Sequence, residues 1–177
     1  PNRREAERRL SLELERAARY GRPTSLLMID VDDLKEVNDE FGHAAGDEVL
    51  RALARMMKQC IRSSETAGRL GGDEFAIVLP ETDARQAAAV ADRLIESVSA
   101  AVGTWPDLHN SEAIAATIGM SIGVADSGNA ALPPEELTAR ADAALYEAKR
   151  LGKNRSWVSL DSPSATPLAT ADSNPTL

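Results

Sequence analysis

Acidic residues concentrate at two places in this sequence. The first group is Asp30, Asp32 and Asp33, and the second is Asp73 and Glu74. Neighbouring carboxylates are costly to cluster unless they share a cation. Mg²⁺ typically takes one or two protein carboxylates together with substrate phosphates. Two such ions about 3.5–4 Å apart clamp the attacking and leaving oxygens in phosphoryl or nucleotidyl transfer, so these acids favour that chemistry.

The second acidic group follows the pair Gly71-Gly72, which separates two strand-like runs at 66–70 and 75–79. Two glycines between such runs predict a tight hairpin, and a backbone without side chains can approach a ligand closely. Taken alone, Gly-Gly-Asp-Glu is more typical of an ordinary polar turn. The two acidic groups converge if the hairpin's second strand lies beside the strand that ends at Asp30. The separate acidic group at that strand end favours the metal site.

The rest of the chain supplies the elements that must hold these acids in place. Its apolar patterns predict helices over 3–20, 47–60, 83–100 and 133–151, a buried central strand over 25–29, a loop over 103–112, a strand over 118–124 and a last edge strand at 157–158. The strand over 118–124 has a second face of glycine and serine, which allows a helix to approach closely. The order predicts an α/β sandwich, with a βαββαβ core of the ferredoxin-like or palm type and helices packed on one sheet.

Length and composition restrict the function. The chain has 177 residues, of which 43% are hydrophobic, so one packed domain is expected. It carries 20 Lys and Arg against 28 Asp and Glu, and this net charge of −8 argues against binding a nucleic-acid polymer. The single Cys excludes a disulfide framework. No apolar run has the length of a membrane span and no signal peptide opens the chain, so we expect no membrane contact and a cytoplasmic location.

Three spaced motifs resemble one known family. The motif Gly71-Gly72-Asp73-Glu74-Phe75 resembles the signature of the GGDEF family, the diguanylate cyclases. The stretch 29–47, with IDVD, ND, FGH and GD, and the stretch 141–154, with AD, ALY, AK and GKN, are similar to two further blocks of that family. Residues 1–4 resemble the end of its opening motif, so we expect an N-terminally truncated fragment, and the full-length protein could be tethered to a membrane.

The resemblance implies a nucleotide-cyclase, palm-like fold, with helices packed around a central and mostly antiparallel sheet. It covers residue 1 to about residue 158, so we expect a catalytic domain over 1–159 and a disordered tail over 160–177. It implies that two GTP molecules are condensed to cyclic di-GMP with release of two pyrophosphates. Two subunits, each loaded with GTP, would meet face to face in a transient homodimer. Two Mg²⁺ ions per active site are implied, with Mn²⁺ as a possible substitute, and an upstream sensory domain is expected.

The resemblance also implies roles for individual residues. The metal-binding positions are Asp30, the backbone carbonyl of Val31, Asp73 and Glu74. Either Asp73 or Glu74 would also help to remove the 3′-hydroxyl proton, and the choice between them stays open. The guanine-reading positions are Asn38 and Asp47, and the phosphate-contacting positions are Lys35, Gly71, Gly72, Lys149 and Lys153.

The residues themselves allow plainer roles. Asn38 is compatible with a turn and Asp47 with a helix N-cap, while Lys149 and Lys153 could complement a helix C-terminus. Asp33 stands where the family often has an aromatic residue. Two further functions stay open at this point: a domain that senses GTP or binds a protein without turnover, and a cyclase that uses another nucleotide. A carboxylate at position 47 disfavours the second, because it accepts from guanine N1–H and N2–H.

An inhibitory product site is also implied, in altered form. In many members of the family an Arg-x-x-Asp motif before the signature binds the product, and here that window reads Arg62-Ser63-Ser64-Glu65. Arg93 matches a partner position of the same site. Glu is one methylene longer than Asp, and a bidentate contact depends on geometry. We therefore expect cyclic di-GMP to be a weak inhibitor.

Overall fold

The computed structural model describes residues 2–101, 113–114, 117–128 and 130–162. These residues form five helices and five strands: α1 Arg3–Tyr20, β1 Ser25–Asp32, α2 Leu34–Phe41, α3 His43–Cys60, β2 Thr66–Arg69, β3 Glu74–Leu79, α4 Ala84–Ala101, β4 Gly119–Asp126, α5 Pro134–Arg150 and β5 Ser156–Val158. The predicted loop over 103–112 and most of the predicted tail lie outside the described residues. Among the described helices, none combines the length and the apolar character needed to cross a membrane.

The strands form one sheet in the order β2-β3-β1-β4-β5. Strand β1 is antiparallel to both β3 and β4, β2 is antiparallel to β3, and the short edge strand β5 is parallel to β4. The sheet is therefore mostly antiparallel, and β1 is central, as its continuous apolar run predicted. The order of elements confirms the predicted α/β sandwich.

Helices cover both faces of the sheet because successive side chains of a strand point to opposite sides. Leu27 and Ile29 of β1 belong to a core shared with α2, α3 and α4. Leu26 and Met28 belong to a second core, which contains apolar residues of α1 and α5. Both layers thus hold β1 in place, and β1 carries the first acidic group at its carboxyl end.

The predicted helix over 47–60 starts too late. The structure begins α3 at His43 and places a separate helix, α2, before it. Gly42 divides the two helices, since its φ of 87° lies in the left-handed region that favours glycine. Leu34 and Val37 anchor α2, and both are buried.

The predicted close approach to the small-residue face of β4 is confirmed. A Cβ added at Gly123 would lie 2.1 Å from the carbonyl oxygen of Ala141 and 2.3 Å from the amide nitrogen of Leu145. Both atoms belong to the backbone of α5, so only glycine lets this helix pack directly on the strand. This contact fixes the height of α5 above the sheet, and α5 carries Lys149 in its last turn, with Lys153 three residues beyond its end.

Candidate active site at the carboxyl end of the central strand

The two acidic groups meet across the pairing of β1 with β3. Asp30 lies directly opposite Glu74 in the antiparallel register. The amide of Val31 donates a hydrogen bond of 3.1 Å to the carbonyl oxygen of Asp73. The hairpin's second strand therefore lies beside the first strand, which is the arrangement that the convergence of the carboxylates required.

The loop between β2 and β3 is held by its own backbone. The amide of Leu70 donates a 2.8 Å hydrogen bond to the carbonyl oxygen of Glu74, and the amide of Glu74 donates a 3.3 Å hydrogen bond to the carbonyl oxygen of Gly71. The Arg69 guanidinium donates to the carbonyl oxygen of Gly72 over 3.0 and 2.6 Å. A Cβ added at Gly72 would meet nothing within 4 Å. These hydrogen bonds hold the loop in place, while the space beside Gly72 is open to a ligand.

Asp30 is a partly buried carboxylate that forms an ion pair with a lysine of α5. Its side chain is 13% exposed, and one of its oxygens lies 2.7 Å from the ammonium of Lys149. Burial raises the pKa of Asp30, Lys149 lowers it, and the charges of Asp73 and Asp32 raise it further. The net shift is upward and burial is its largest cause, so the ionised carboxylate of Asp30 is costly here and depends on a nearby cation.

A second lysine of the C-terminal segment pairs with the same strand end. The ammonium of Lys153 lies 2.5 Å from the carboxylate of Asp33. This hydrogen bond raises the pKa of Lys153, so its charge is firmly retained. Lys149 and Lys153 thus both reach the acidic end of β1, whereas Lys35 lies exposed in the first turn of α2. Because Lys149 and Lys153 both pair with carboxylates, they do more than complement the C-terminus of a helix.

The predicted guanine-reading residues lie on neighbouring helices. Asn38 is inside α2 rather than in a turn, and Asp47 is inside α3 rather than at its N-cap, so both plainer interpretations are wrong. A Cβ added at Gly46 would lie 2.1 Å from Oδ1 of Asn38. The Asn38 amide therefore packs directly on the residue that precedes Asp47. The Asp47 side chain is 62% exposed and lies 3.9 Å from the guanidinium of Arg51.

Sequence reasoning missed a buried network beside the lysines. Asp32 accepts hydrogen bonds from the hydroxyl of Ser121 and from the amide of Asn154. Asp32 appeared in the sequence only as a member of the first acidic group. A signal for its partners lay in Gly119, which is opposite Asp32 in the register and leaves room for Asn154.

The start of α1 is joined to the same hairpin, which was also not foreseen. The guanidinium of Arg3 donates to the carbonyl of Leu70 over 3.0 Å and lies 4.0 Å from the carboxylate of Glu74. Asn2 forms a bridge with Arg69 and caps α1 by accepting from the amide of Glu5. The signal available was the resemblance of residues 1–4 to a family motif.

The predicted inhibitory residues lie near one another, with the acid turned inward. The Glu65 side chain is 5% exposed and accepts a 2.6 Å hydrogen bond from the backbone amide of Arg62. The Arg62 side chain is 82% exposed, and its guanidinium is 4.0 Å from Glu65. Arg93 donates to the carbonyl of Cys60, two residues before Arg62. Only the arginine of the pair is presented to solvent.

Within the described residues, no group of three or more His, Cys, Asp or Glu side chains is arranged to hold a metal ion by itself. The acids at the site instead come as a pair of strand positions, Asp30 and Glu74, with Asp73 beside them. Mg²⁺ commonly binds in this way, with one or two carboxylates completed by substrate phosphates and water.

Comparison with known proteins decides the family. The model of the diguanylate cyclase GGDEF domain matches residues 1–155. The chain belongs to the GGDEF family. Diguanylate cyclase A of Treponema denticola is 43% identical over 131 residues, which are 74% of this chain and 34% of that protein. The response regulator PleD of Caulobacter vibrioides is 39% identical over 153 residues, which are 86% of this chain and 33% of that protein. This GGDEF domain therefore spans about a third of the length of these relatives.

Solved GGDEF domains share its fold. The GGDEF domain of PA1120 from Pseudomonas aeruginosa has a TM-score of 0.77 at 34% identity, covering 90% of this chain and 96% of that one. The GGDEF domain of DgcB from Caulobacter crescentus, solved in complex with c-di-GMP, has a TM-score of 0.80 at 28% identity, covering 90% and 89%. The palm-like fold expected from the resemblance is thereby confirmed.

Proposed function

We propose that this GGDEF domain is the catalytic domain of a diguanylate cyclase, which condenses two GTP molecules into cyclic di-GMP and releases two pyrophosphates. The observation that carries the proposal is the meeting of Asp30 with the Asp73-Glu74 hairpin, within reach of Lys149 and Lys153. One end of the sheet thus offers carboxylates for metal ions and ammonium groups for a triphosphate. Relatives named diguanylate cyclases support the same activity.

The site fits divalent metal ions in its charge and its donor atoms. The partly buried Asp30 carboxylate already binds a cation, the ammonium of Lys149, and burial, together with the charges of Asp73 and Asp32, raises its pKa. Asp30, the carbonyl of Val31, Asp73 and Glu74 would hold two Mg²⁺ ions, or Mn²⁺ in their place. When bound, such ions neutralise the charge that develops on the attacking and leaving oxygens.

The two lysines would bind the phosphates. An ammonium acts as a point charge on phosphate oxygens, and both lysines now rest on carboxylates of the same strand end. Asp33 adds negative charge beside Lys153, so it should weaken rather than strengthen triphosphate binding at that point. Gly71 and Gly72 would let phosphate oxygens approach the backbone of the hairpin.

Guanine would be read by Asn38 and Asp47. The exposed carboxylate of Asp47 can accept from guanine N1–H and N2–H, and the amide of Asn38 can serve the remaining edge. Adenine lacks this pair of donors, so ATP would leave Asp47 unpaired, which penalises it.

Catalysis would need two subunits. The 3′-hydroxyl oxygen of each GTP bonds to the α-phosphorus of the other, the bond from that phosphorus to the leaving oxygen breaks, and pyrophosphate departs. Asp73 or Glu74 would accept the hydroxyl proton. Because each subunit holds one GTP, a single half-site cannot close the product, and we expect a transient homodimer.

The same proposal includes weak product inhibition. The Glu65 carboxylate is engaged by the backbone of its own turn, so Arg62 lacks an acid that is free to share a ligand with it. We expect calorimetric titration with cyclic di-GMP to give weak binding. Tight binding that Arg62→Ala abolishes would contradict this part of the proposal.

Location and regulation follow from the substrate and the family. GTP is a cytoplasmic metabolite, so the proposed reaction places the domain in the cytoplasm. An upstream sensory domain that controls the meeting of two subunits belongs to the proposal, and α1 is the element that would transmit its signal. Its first residues contact the hairpin.

The test is GTP turnover with Mg²⁺ over a range of protein concentrations, with the products separated by chromatography. We expect cyclic di-GMP, formed at a rate that rises faster than linearly with protein. Glu74→Gln should lower the rate more than about 100-fold, whereas the control Glu81→Gln, in the turn beyond the other end of β3, should not. GTP binding without turnover would instead support a sensing domain, and turnover of ATP to a cyclic product would overturn the assignment of substrate.

A further inference from the structure

Asp32 is the most deeply buried acid near the proposed site. It is 3% exposed, and both of its carboxylate oxygens accept hydrogen bonds. The hydroxyl of Ser121 lies 2.9 and 2.8 Å from the two oxygens, and the amide of Asn154 lies 3.0 Å from one of them. A buried charge lowers stability unless hydrogen bonds or an ion pair compensate for its loss of hydration.

The segment that Asp32 holds has an unfavourable backbone. Lys153 and Asn154 have φ values of 59° and 46°, in the left-handed region that Asn adopts readily but Lys adopts rarely. The Asn154 side chain packs against Gly119, where an added Cβ would lie 3.2 Å from Cβ of Asn154. Two successive residues in this conformation persist only where their surroundings hold them. The hydrogen bond from the Asn154 amide to Asp32 supplies such a constraint.

The same strand end also holds the side chain of this segment. Asp33 binds the ammonium of Lys153 at 2.5 Å, while Asp32 binds the next backbone amide. We propose that Asp32 is a positioning residue, which fixes the Lys153–Asn154 turn and so aims Lys153 at the triphosphate of bound GTP. The inference rests on the proposed function, since it assumes that GTP binds here.

A positioning role and a purely electrostatic role for Asp32 predict opposite changes in nucleotide affinity when its charge is removed. If Asp32 acted only through its negative charge, removing that charge would strengthen the binding of an anionic triphosphate. If it acts by holding the turn, removing its oxygen acceptors would weaken that binding. Asp32→Asn removes the charge but keeps an oxygen for the Asn154 amide, and Asp32→Ala removes both.

The experiment measures binding of 3′-deoxy-GTP with Mg²⁺ by calorimetry, because this analogue lacks the attacking hydroxyl and is not turned over. We expect Asp32→Ala to weaken its binding about tenfold and Asp32→Asn to keep most of it. Binding of GMP, which lacks the outer phosphates, should change less than about twofold. In a Lys153→Met background, Asp32→Ala should have no further effect, because the residue through which it acts is gone.

Controls separate this role from a loss of fold. Asp126→Asn alters another fully buried acid, which lies at the opposite end of the same sheet, and it should leave nucleotide binding unchanged. If thermal melting shows that Asp32→Ala does not fold, Ser121→Ala is used, with an expected weakening of about threefold. Equal or tighter binding by Asp32→Ala or by folded Ser121→Ala, or an equal loss in the Lys153→Met background, overturns the inference. Absence of binding by the unaltered domain overturns the proposed function and this inference with it.

Discussion

The contact between Asn38 and Gly46 allows the proposed guanine recognition to be tested without loss of fold. In Gly46→Ala, the added Cβ would lie 2.1 Å from Oδ1 of Asn38, whereas ordinary contacts begin at 3.4 Å. The amide must therefore move away by roughly 1 Å, which is enough to break a hydrogen bond. Losing one or two neutral hydrogen bonds to guanine costs about 1.5 kcal/mol, or about a tenfold loss of GTP affinity.

The free energy of unfolding of Gly46→Ala should change little, because two opposing effects nearly cancel. Replacing glycine by alanine inside a helix stabilises by about 0.8–1 kcal/mol, and an off-rotamer Asn38 costs about 0.5–1.5 kcal/mol. The free energy of unfolding of Gly46→Ala should therefore stay within about 1 kcal/mol of the original. Affinity is measured by calorimetry with 3′-deoxy-GTP, and stability by urea denaturation.

A double variant supplies the control. If Gly46→Ala acts by displacing the amide, it should add nothing to the loss caused by Asn38→Ala. Unchanged GTP affinity in Gly46→Ala would refute the assignment of Asn38 to guanine, and so would a loss that persists in the Asn38→Ala background. A fall of several kcal/mol in stability would show instead that the contact is structural.

Three further predictions concern packing, charge and specificity. Gly123→Ala should lower the free energy of unfolding by about 3 kcal/mol or more, because its Cβ meets α5 backbone at 2.1 Å; urea denaturation showing no loss would contradict the close packing. Burial raises the pKa of Asp30 more than Lys149 lowers it, so the net shift is upward. A carboxyl whose pKa is higher in the folded state contributes stability below its ordinary pKa of 3.8, and this contribution is lost as the pH rises through the folded value. Lys149→Met should therefore destabilise the domain near pH 7 and progressively less as the pH falls toward 3.8, and a loss independent of pH would speak against the pair. Asp47→Ser should lower the preference for GTP over ATP at least about tenfold, and unchanged purine selectivity in competition binding would remove Asp47 from the guanine site.

The sheet and the acidic pair were predictable because their signals are local. A short apolar run identifies β1, and two glycines between strand-like runs identify the hairpin. Once the hairpin lies beside β1, the register alone brings Glu74 opposite Asp30. The division between α2 and α3 was not predictable in the same way. It depends on one left-handed glycine, Gly42, within a stretch whose polar residues hide the helical period.

The supporting contacts of the site were beyond local patterns. Ser121 and Asn154 lie 89 and 122 positions from Asp32 along the chain, so no periodicity relates them. The inward turn of Glu65 likewise depends on one hydrogen bond to a backbone amide, which residue type does not specify. Sequence thus indicated candidate residues for the chemistry, and packing determined which of them are held in place.

The central position of β1 predicts that different parts of the proposed site open to solvent at different rates. Strand β1 is hydrogen-bonded on both sides and its Leu27 and Ile29 are fully buried, so its amides should exchange with solvent only on global unfolding. Strand β5 is a partly exposed edge of three residues, and the turn that carries Lys153 leads into it. Amides of that segment should exchange through local opening. The strand that carries Asp30 should therefore stay folded while the turn that carries Lys153 opens briefly and closes again, and hydrogen exchange can measure the difference.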